Sequence, residues 1–351
     1  MNTELFQIMQ AKGCEEEIAR AAKLLRDGEL VVFPTETVYG LGGLATSDAA
    51  AKAIYEAKGR PSDNPLIIHV ASPEDAEPYA VTNDTYYRLA KKFMPGPLTV
   101  ILPKKDTIPL SVTGGLDSVA VRCPAHEVAR ALIREAGAPV AAPSANRSGR
   151  PSPTCAAHVL EDLNGRVAAI IDGGECEVGL ESTIVKLVGD KGILLRPGAI
   201  TADALSCVCE TEIAPAVTAA LAENERPLSP GMKYRHYAPQ APLVLLDGTQ
   251  EAVSEFLKAQ ASDPTVGILC YDEESALLKG EATLFPVGAK KDLAAQAKRL
   301  FAALREADAH PQLQKLYAHL PPKTGLGLAL YNRCIRAAAH TVKKIDEQNT
   351  D

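Results

Sequence analysis

The chain has 351 residues, more than twice the roughly 150 of an average domain, so two domains are the default expectation. Hydrophobic residues make up 46% and charged residues 23%, which supports a sizeable core and excludes a chain disordered throughout; only the polar end, 346–351, is expected to fray. With 37 Lys and Arg against 44 Asp and Glu the net charge is −7, the wrong sign for a protein that wraps nucleic acid through its phosphates.

In chain order, Glu15 to Arg26 repeats Ile18, Ala22 and Leu25 at helical spacing and stops at Asp27-Gly28, which predicts a helix. Leu30 to Phe33 is a short apolar run closed by Pro34 and reads as a buried strand. Ser47 to Ala57 is an alanine-rich helix that Thr46 or Ser47 caps. Leu66 to Val70 and Leu98 to Leu102 read as strands, Thr85 to Phe93 and His126 to Glu135 as helices. Further strands are expected at Val119 to Arg122, Pro139 to Ala142, Ala168 to Ile171, Thr183 to Leu187 and Ile193 to Leu195. This alternation implies helices packed on a sheet, and turns such as Gly114-Gly115 and Gly173-Gly174 point to some antiparallel neighbours. Ser229 to Pro242 has three prolines and no period, and reads as a linker. Beyond it a second βα pattern runs through strand Leu243 to Leu246, helix Thr249 to Lys258, strand Val266 to Cys270 and helices at Leu293 to Ala307 and Leu328 to Val342. The expected division is 1–228, a linker at 229–242, and a smaller doubly wound domain at 243–351.

The first residues have neither a basic stretch nor a long apolar one, and no run reaches the roughly 18 apolar residues of a membrane span. No membrane role is expected and the chain is placed in the cytoplasm. The eight cysteines form no C-x-x-C pair and the seven histidines no H-x-x-x-H, so neither a disulfide framework nor a protein-held transition metal is expected.

Chemistry concentrates in loops at strand ends, where open α/β sheets keep their ligands. Pro34 to Gly42 offers hydroxyls at Thr35 and Thr37, a carboxylate at Glu36, and glycines that permit close backbone approach. Gly40-x-Gly42-x-x-Ala45 fits the loose dinucleotide pattern, but it lies too far past the strand for a tight strand-to-helix turn, so a nicotinamide oxidoreductase is rejected. Lys58-Gly59-Arg60 pairs a point charge with a planar fork, suited to polyphosphate oxygens; alone, it would read as a solvated helix end. Ser144-Ala145-Asn146-Arg147-Ser148-Gly149 adds hydroxyls and an amide directly after a strand, and Arg122 and Arg196 stand at two further strand ends. Cations and hydroxyls without matching acids point to an anionic ligand. There is no P-loop, no G-x-S-x-G elbow and no kinase set, and Ser144 has no local triad partner. From residue types alone the chain is an α/β protein with an anion-binding, nucleotide-type cleft.

The combination of Lys58-x-Arg60 with Ser144-x-Asn146 resembles the motif pair of the threonylcarbamoyl-AMP synthase family, the YrdC-like proteins. The strings PTETVYGLG, KGRPSDNPL, PGPLTVIL, APSANRSG, ESTIV and LRPG stand in the family's order across residues 14–200, and SPGMKYRHYAP at 229–239 is similar to the linker of its longer members. Asn64 stands where some shorter members have Lys, which fits the longer type. The resemblance implies a YrdC-like twisted mixed sheet with flanking helices at 1–228 and a Rossmann-like C-terminal domain. It also implies a reaction. The amine of L-threonine takes up bicarbonate or CO2, the carbamate attacks the α-phosphorus of ATP, and diphosphate leaves threonylcarbamoyl-AMP for a tRNA threonylcarbamoyl transferase complex. Mg2+ is then held through phosphates and water, with no metal ligand from the protein.

By the same resemblance Lys58, Arg60, Asn64, Ser118, Ser144, Asn146, Ser152, Arg196 and His236 form the ATP set, with Lys58, Arg60, Ser144 and Asn146 at its catalytic centre. Thr37, His69, Arg122, the Ala142 backbone and Ser182 form the L-threonine set. His69 by itself reads equally as a satisfied, half-buried histidine. Tyr234 and Tyr237, beside His236, are candidates for a lid over the nucleotide. The main rival is an RNA-binding module without catalysis, favoured by Lys91-Lys92, Lys104-Lys105 and Arg147 with Arg150. The net acidity, the absence of Trp and 5% aromatics oppose it, and direct tRNA binding is expected to be weak or absent. A carbamoyl-adenylate maker fed by carbamoyl phosphate is a second rival, opposed by the linker and second domain.

Overall fold

The structure, a computed structural model, describes residues 2–218 and 236–345. They gather into two compact units, 2–148 with 152–218 and 149–151 with 236–345. The boundary expected at 228, linker residues 229–235 and the end 346–351 lie outside the described residues.

In the first unit the order is β1 (Glu4–Gln7), α1 (Glu15–Arg26), β2 (Val31–Phe33), β3 (Gly40–Leu44), α2 (Asp48–Lys58), β4 (Ile67–His69), α3 (Asp84–Phe93), β5 (Leu98–Pro103), β6 (Ser118–Arg122), α4 (Glu127–Ala136), β7 (Val140–Ala141), α5 (Ala156–Leu163), β8 (Ala169–Asp172), β9 (Thr183–Val188), β10 (Lys191–Arg196), α6 (Ala202–Ser206) and β11 (Thr211–Ile213). The strands form one mixed sheet ordered β1-β8-β2-β3-β7-β4-β6-β5-β9-β10-β11. Alternation along β2 shows its two faces. Val32 joins a core with Ile54 of α2, Leu89 of α3 and Val159 of α5, while Val31 and Phe33 join one with Leu25 of α1 and Leu132 of α4. Further along that second face, Ile67, Ile101, Ala120, Ile184 and Leu195 make a smaller cluster, to which no helix contributes among the described residues. His69 and Arg122 share this face on β4 and β6.

The second unit runs β12 (Leu243–Gly248), α7 (Gln250–Gln260), β13 (Val266–Cys270), α8 (Asp272–Ser275), β14 (Thr283–Pro286), α9 (Leu293–Asp308), β15 (Lys315–His319), α10 (Gly327–Ala337) and β16 (Val342–Ile345). All its pairings are parallel, in the order β14-β13-β15-β12-β16, which makes it a doubly wound, Rossmann-like sheet. No helix of the described residues is long and apolar enough to cross a membrane.

Three readings of the sequence change. The glycines expected in a ligand loop lie in a buried strand, since Gly40–Leu44 is β3 and pairs antiparallel with β2. They are there for packing: a Cβ on Gly42 would stand 2.8 Å from Val140 Cγ1 and 2.9 Å from the Phe33 ring. Gly173-Gly174 does not join antiparallel neighbours, because β8 pairs in parallel with β1 and β2. Gly173 instead lies so close to Pro34 that a Cβ would come within 2.5 Å of its ring, and the antiparallel turn sits at Gly189, between β9 and β10. The last helix ends at Ala337, and Val342 opens β16, whose exposed lysines hide any strand period.

Gly42→Ala is expected to lower the stability of the chain by about 1–3 kcal/mol through overpacking against Phe33 and Val140. Equilibrium denaturation measures it, and an unchanged midpoint would show that β3 has room for a side chain.

Candidate active site

Helix α2 delivers the first cation. Ser47 caps its start by accepting the amide of Ala50 at 3.2 Å, and Gly59 ends it in the left-handed conformation with φ 62°. Lys58 therefore sits on the last helical turn, and it is only 4% exposed, which removes the reading of a solvated helix end. Its Nζ donates to the Ser144 carbonyl at 2.5 Å and to the Asn146 carbonyl, while its own carbonyl accepts the amide of Ser148 at 2.9 Å. The two halves of the Lys-x-Arg and Ser-x-Asn motif pair are thus bonded directly. Ser144 Oγ donates to Asn146 Oδ1 at 2.5 Å, and Asn146 Nδ2 to the Arg147 carbonyl at 2.8 Å. Arg60, also buried, donates through Nε and Nη2 to the carbonyls of Asn64 and Pro65 at 3.2 and 3.0 Å, folding the 60–65 loop around itself. The Oδ1 of Asn64 is buried without a partner.

The sheet aligns the second group. Register places His69 of β4 opposite Arg122 of β6, and Arg122 opposite Thr99 of β5, so the three side chains share one face on adjacent strands. Thr99 Oγ1 and Ser182 Oγ lie 2.7 Å apart, and Arg196 donates from Nη2 to Ser182 Oγ at 3.2 Å and from Nε to its carbonyl at 3.0 Å. Ser152, fully buried, donates to Glu181 Oε1 at 2.5 Å. A polar row therefore runs from His69 through Arg122, Thr99 and Ser182 to Arg196, joining members of the expected threonine set to one of the ATP set.

Arg122 is 4% exposed and donates from Nη2 to Glu36 Oε1 at 2.7 Å, while its buried Nε has no partner. Leaving such a donor unmade costs about 1–3 kcal/mol, a cost that an acceptor on a ligand would remove. His69 is equally buried, with its Nδ1 3.2 Å from the Ile67 carbonyl and its ring edge-on to Phe33. The ring also faces the Val140 backbone, so carbonyls of two strands hold it in place. Burial, followed by the charge of Arg122, pushes the pKa of His69 down to about 3.

Thr37 is fully buried, its hydroxyl 2.8 Å from that of Thr35. Ala142 is bonded by its amide to the Ile67 carbonyl at 2.9 Å, beside β4. Ser118 stands apart from the row: it opens β6 at the end opposite Arg122, roughly 13 Å along the strand. His236 and Tyr237 belong to the second unit, where Tyr237 is 5% exposed and stacks on Phe301 with centroids 5.0 Å apart. Tyr234 lies outside the described residues. Thr99 was missed in the sequence; the signal was a lone hydroxyl inside the apolar run Leu98 to Leu102. Among the described residues no three His, Cys, Asp or Glu side chains gather as a metal would need. The donors present, ammonium, guanidinium, hydroxyl and amide, suit phosphate and carboxylate oxygens instead.

His69 gives a pH prediction. The folded chain keeps it neutral down to about pH 3, whereas the unfolded chain protonates it near 6.5. Its share of stability is complete above pH 6.5 and is lost as pH falls toward 3. Between pH 7 and pH 5 the wild type should lose about 2 kcal/mol more than His69→Asn in urea denaturation. Parallel losses in the two chains would show that His69 is not held neutral.

The chain is similar to known proteins along most of its length. A family model described as telomere recombination matches residues 23–198, and one described as the C-terminal domain of threonylcarbamoyl-AMP synthase matches 200–339. The threonylcarbamoyl-AMP synthase of Bacillus subtilis is 46% identical over 333 residues, covering 93% of this chain and 94% of that relative. That of Pyrococcus abyssi is 42% identical over 341 residues, covering 94% and 96%. The crystal structure of P. abyssi Sua5 complexed with L-threonine aligns with a TM-score of 0.88 at 41% identity, across 98% of this chain and 100% of that one. With both family models matched in order, the chain belongs to the threonylcarbamoyl-AMP synthase family, in its two-domain form.

Proposed function

We propose that this chain makes threonylcarbamoyl-AMP from L-threonine, bicarbonate and ATP. The observation that carries the reading is the polar row from His69 and Arg122 to Ser182 and Arg196, in a unit that also binds Lys58 to the Ser144–Asn146 loop. It joins side chains suited to an amino acid to cations suited to a polyphosphate. The relatives named for this activity span nearly the whole chain.

In this reading the unpartnered Nε of Arg122 takes the threonine carboxylate, and the neutral His69 ring lies beside the threonine side chain. The neutral amine bonds to the carbon of CO2 and gives up a proton, or to that of bicarbonate with loss of water, and either route gives a carbamate. A carbamate oxygen then attacks the α-phosphorus of ATP, and the bond to the β-phosphate oxygen breaks with its electron pair, releasing diphosphate. No enzyme nucleophile takes part, so the chain works by orientation and by cations matched to phosphate charge. Lys58, Arg60 and Arg196 supply those cations, with Asn64, Ser118, Ser144, Asn146 and Ser152 as polar partners and His236 as a further candidate. Mg2+ accompanies the nucleotide on phosphate oxygens and water. We place the enzyme in the cytoplasm, handing its product to a tRNA threonylcarbamoyl transferase complex, without binding tRNA strongly itself.

The test is diphosphate release from ATP by the purified chain with Mg2+ and bicarbonate, adding each of the twenty amino acids in turn. Release that needs threonine and bicarbonate together, and falls by about 100-fold or more in Arg60→Ala, is expected. Release with another amino acid would keep the chemistry and overturn the substrate. No release with any, combined with salt-dependent tRNA binding, would favour the RNA-binding reading.

A further inference from the structure

Glu36 is buried at the centre of the amino-acid side of the site, yet the reaction above gives it no bond to make or break. Its carboxylate is fixed from two directions. Oε1 accepts Arg122 Nη2 at 2.7 Å, and Oε2 accepts the amide of Ala125 at 3.0 Å. Its own carbonyl accepts the amide of Val178 at 2.8 Å. The loop beneath it is braced by Thr35, whose Oγ1 accepts the amides of Thr37 and Val38 and donates to the Val38 carbonyl at 2.6 Å. Glu36 therefore cannot swing away, while Arg122 ends a strand on a long, rotatable stem. Among the described residues Glu36 is the only acceptor for the Arg122 side chain, and the pairing leaves Nε buried and unmet.

We propose that Glu36 is the positioning residue of the amino-acid subsite: by holding Nη2 of Arg122 it aims the Nε edge of the guanidinium at the substrate carboxylate. The assignment rests on the function proposed above. Because Arg122 and Glu36 together carry no net charge, carboxylate recognition here depends on the direction of N–H donors more than on an excess of positive charge. What matters in Glu36 is then the place of its acceptor oxygen, and its charge matters less.

Two conservative variants separate those properties. Glu36→Asp keeps the charge and withdraws the acceptor by one methylene. Glu36→Gln keeps an acceptor within reach of Nη2, removes the charge and gives up only the bond to Ala125. Threonine and ATP KM are measured for both in the threonine-dependent diphosphate assay, beside the wild type. Glu36→Asp should raise the threonine KM by about 10-fold with the ATP KM unchanged, and Glu36→Gln should stay within about 3-fold of wild type. The opposite order, with Gln impaired and Asp not, would overturn the proposal in favour of a charge role. So would two unaffected variants, or variants that raise both KM values together as a general loss of structure would. A working wild type with any of these outcomes sinks the assignment alone. A wild type that releases no diphosphate with threonine sinks the function, and the assignment with it.

Discussion

A buried ammonium sets the terms for the side of this site proposed to take the nucleotide. Taking Lys58 out of water carries a penalty of several kcal/mol unless its donors are met, and here they are met by the main-chain carbonyls of Ser144 and Asn146. Carbonyls fix position without cancelling charge. The loop is held in one shape. The same need explains the end of α2: the left-handed Gly59 stops the helix one residue after Lys58, so the ammonium emerges where the loop passes.

Arg122, on the side proposed for the amino acid, is paired with a carboxylate, on the sheet face it shares with a histidine that burial and that same arginine keep neutral. The neighbouring thiols are also kept uncharged, since burial pushes Cys123 up to about 12 and Cys176 further still. The two halves meet at Ser182, which Thr99 holds from one side and Arg196 from the other.

Much of this was legible in the sequence, and what was not has a physical cause. Helices α1 and α2 showed their apolar spacing, their ends and a cap at Ser47, because those signals are local. Lys58 and Arg60 stood out as cations after a helix, and Ser144, Asn146 and Arg196 as polar groups at strand ends. The glycines of β3 misled, because a glycine chosen for close packing on Phe33 reads the same as one chosen for a ligand loop. The row of His69, Arg122 and Thr99 was invisible as a row, since it exists only through the register of β4, β6 and β5, strands far apart in sequence. Glu36 was visible as a carboxylate, but its pairing with Arg122, 86 residues away, was not.

The segment 149–151 shows a different limit. It follows the Ser144–Asn146 loop directly and precedes Ser152, so sequence assigns it to the catalytic domain without hesitation. Its contacts gather with the second unit instead. The Pro151 carbonyl accepts both Nε and Nη2 of the buried Arg305, at 3.1 and 2.7 Å, and Arg150 pairs with Asp308 at 3.8 Å. The Gly149 carbonyl accepts the amide of Ala238 at 2.9 Å. A bidentate guanidinium on one carbonyl is a directional contact that a passing loop would not require. Sequence order divides a chain where composition changes. Hydrogen bonds divide it where donors find their acceptors, and here those two criteria part company in three residues between Asn146 and Ser152.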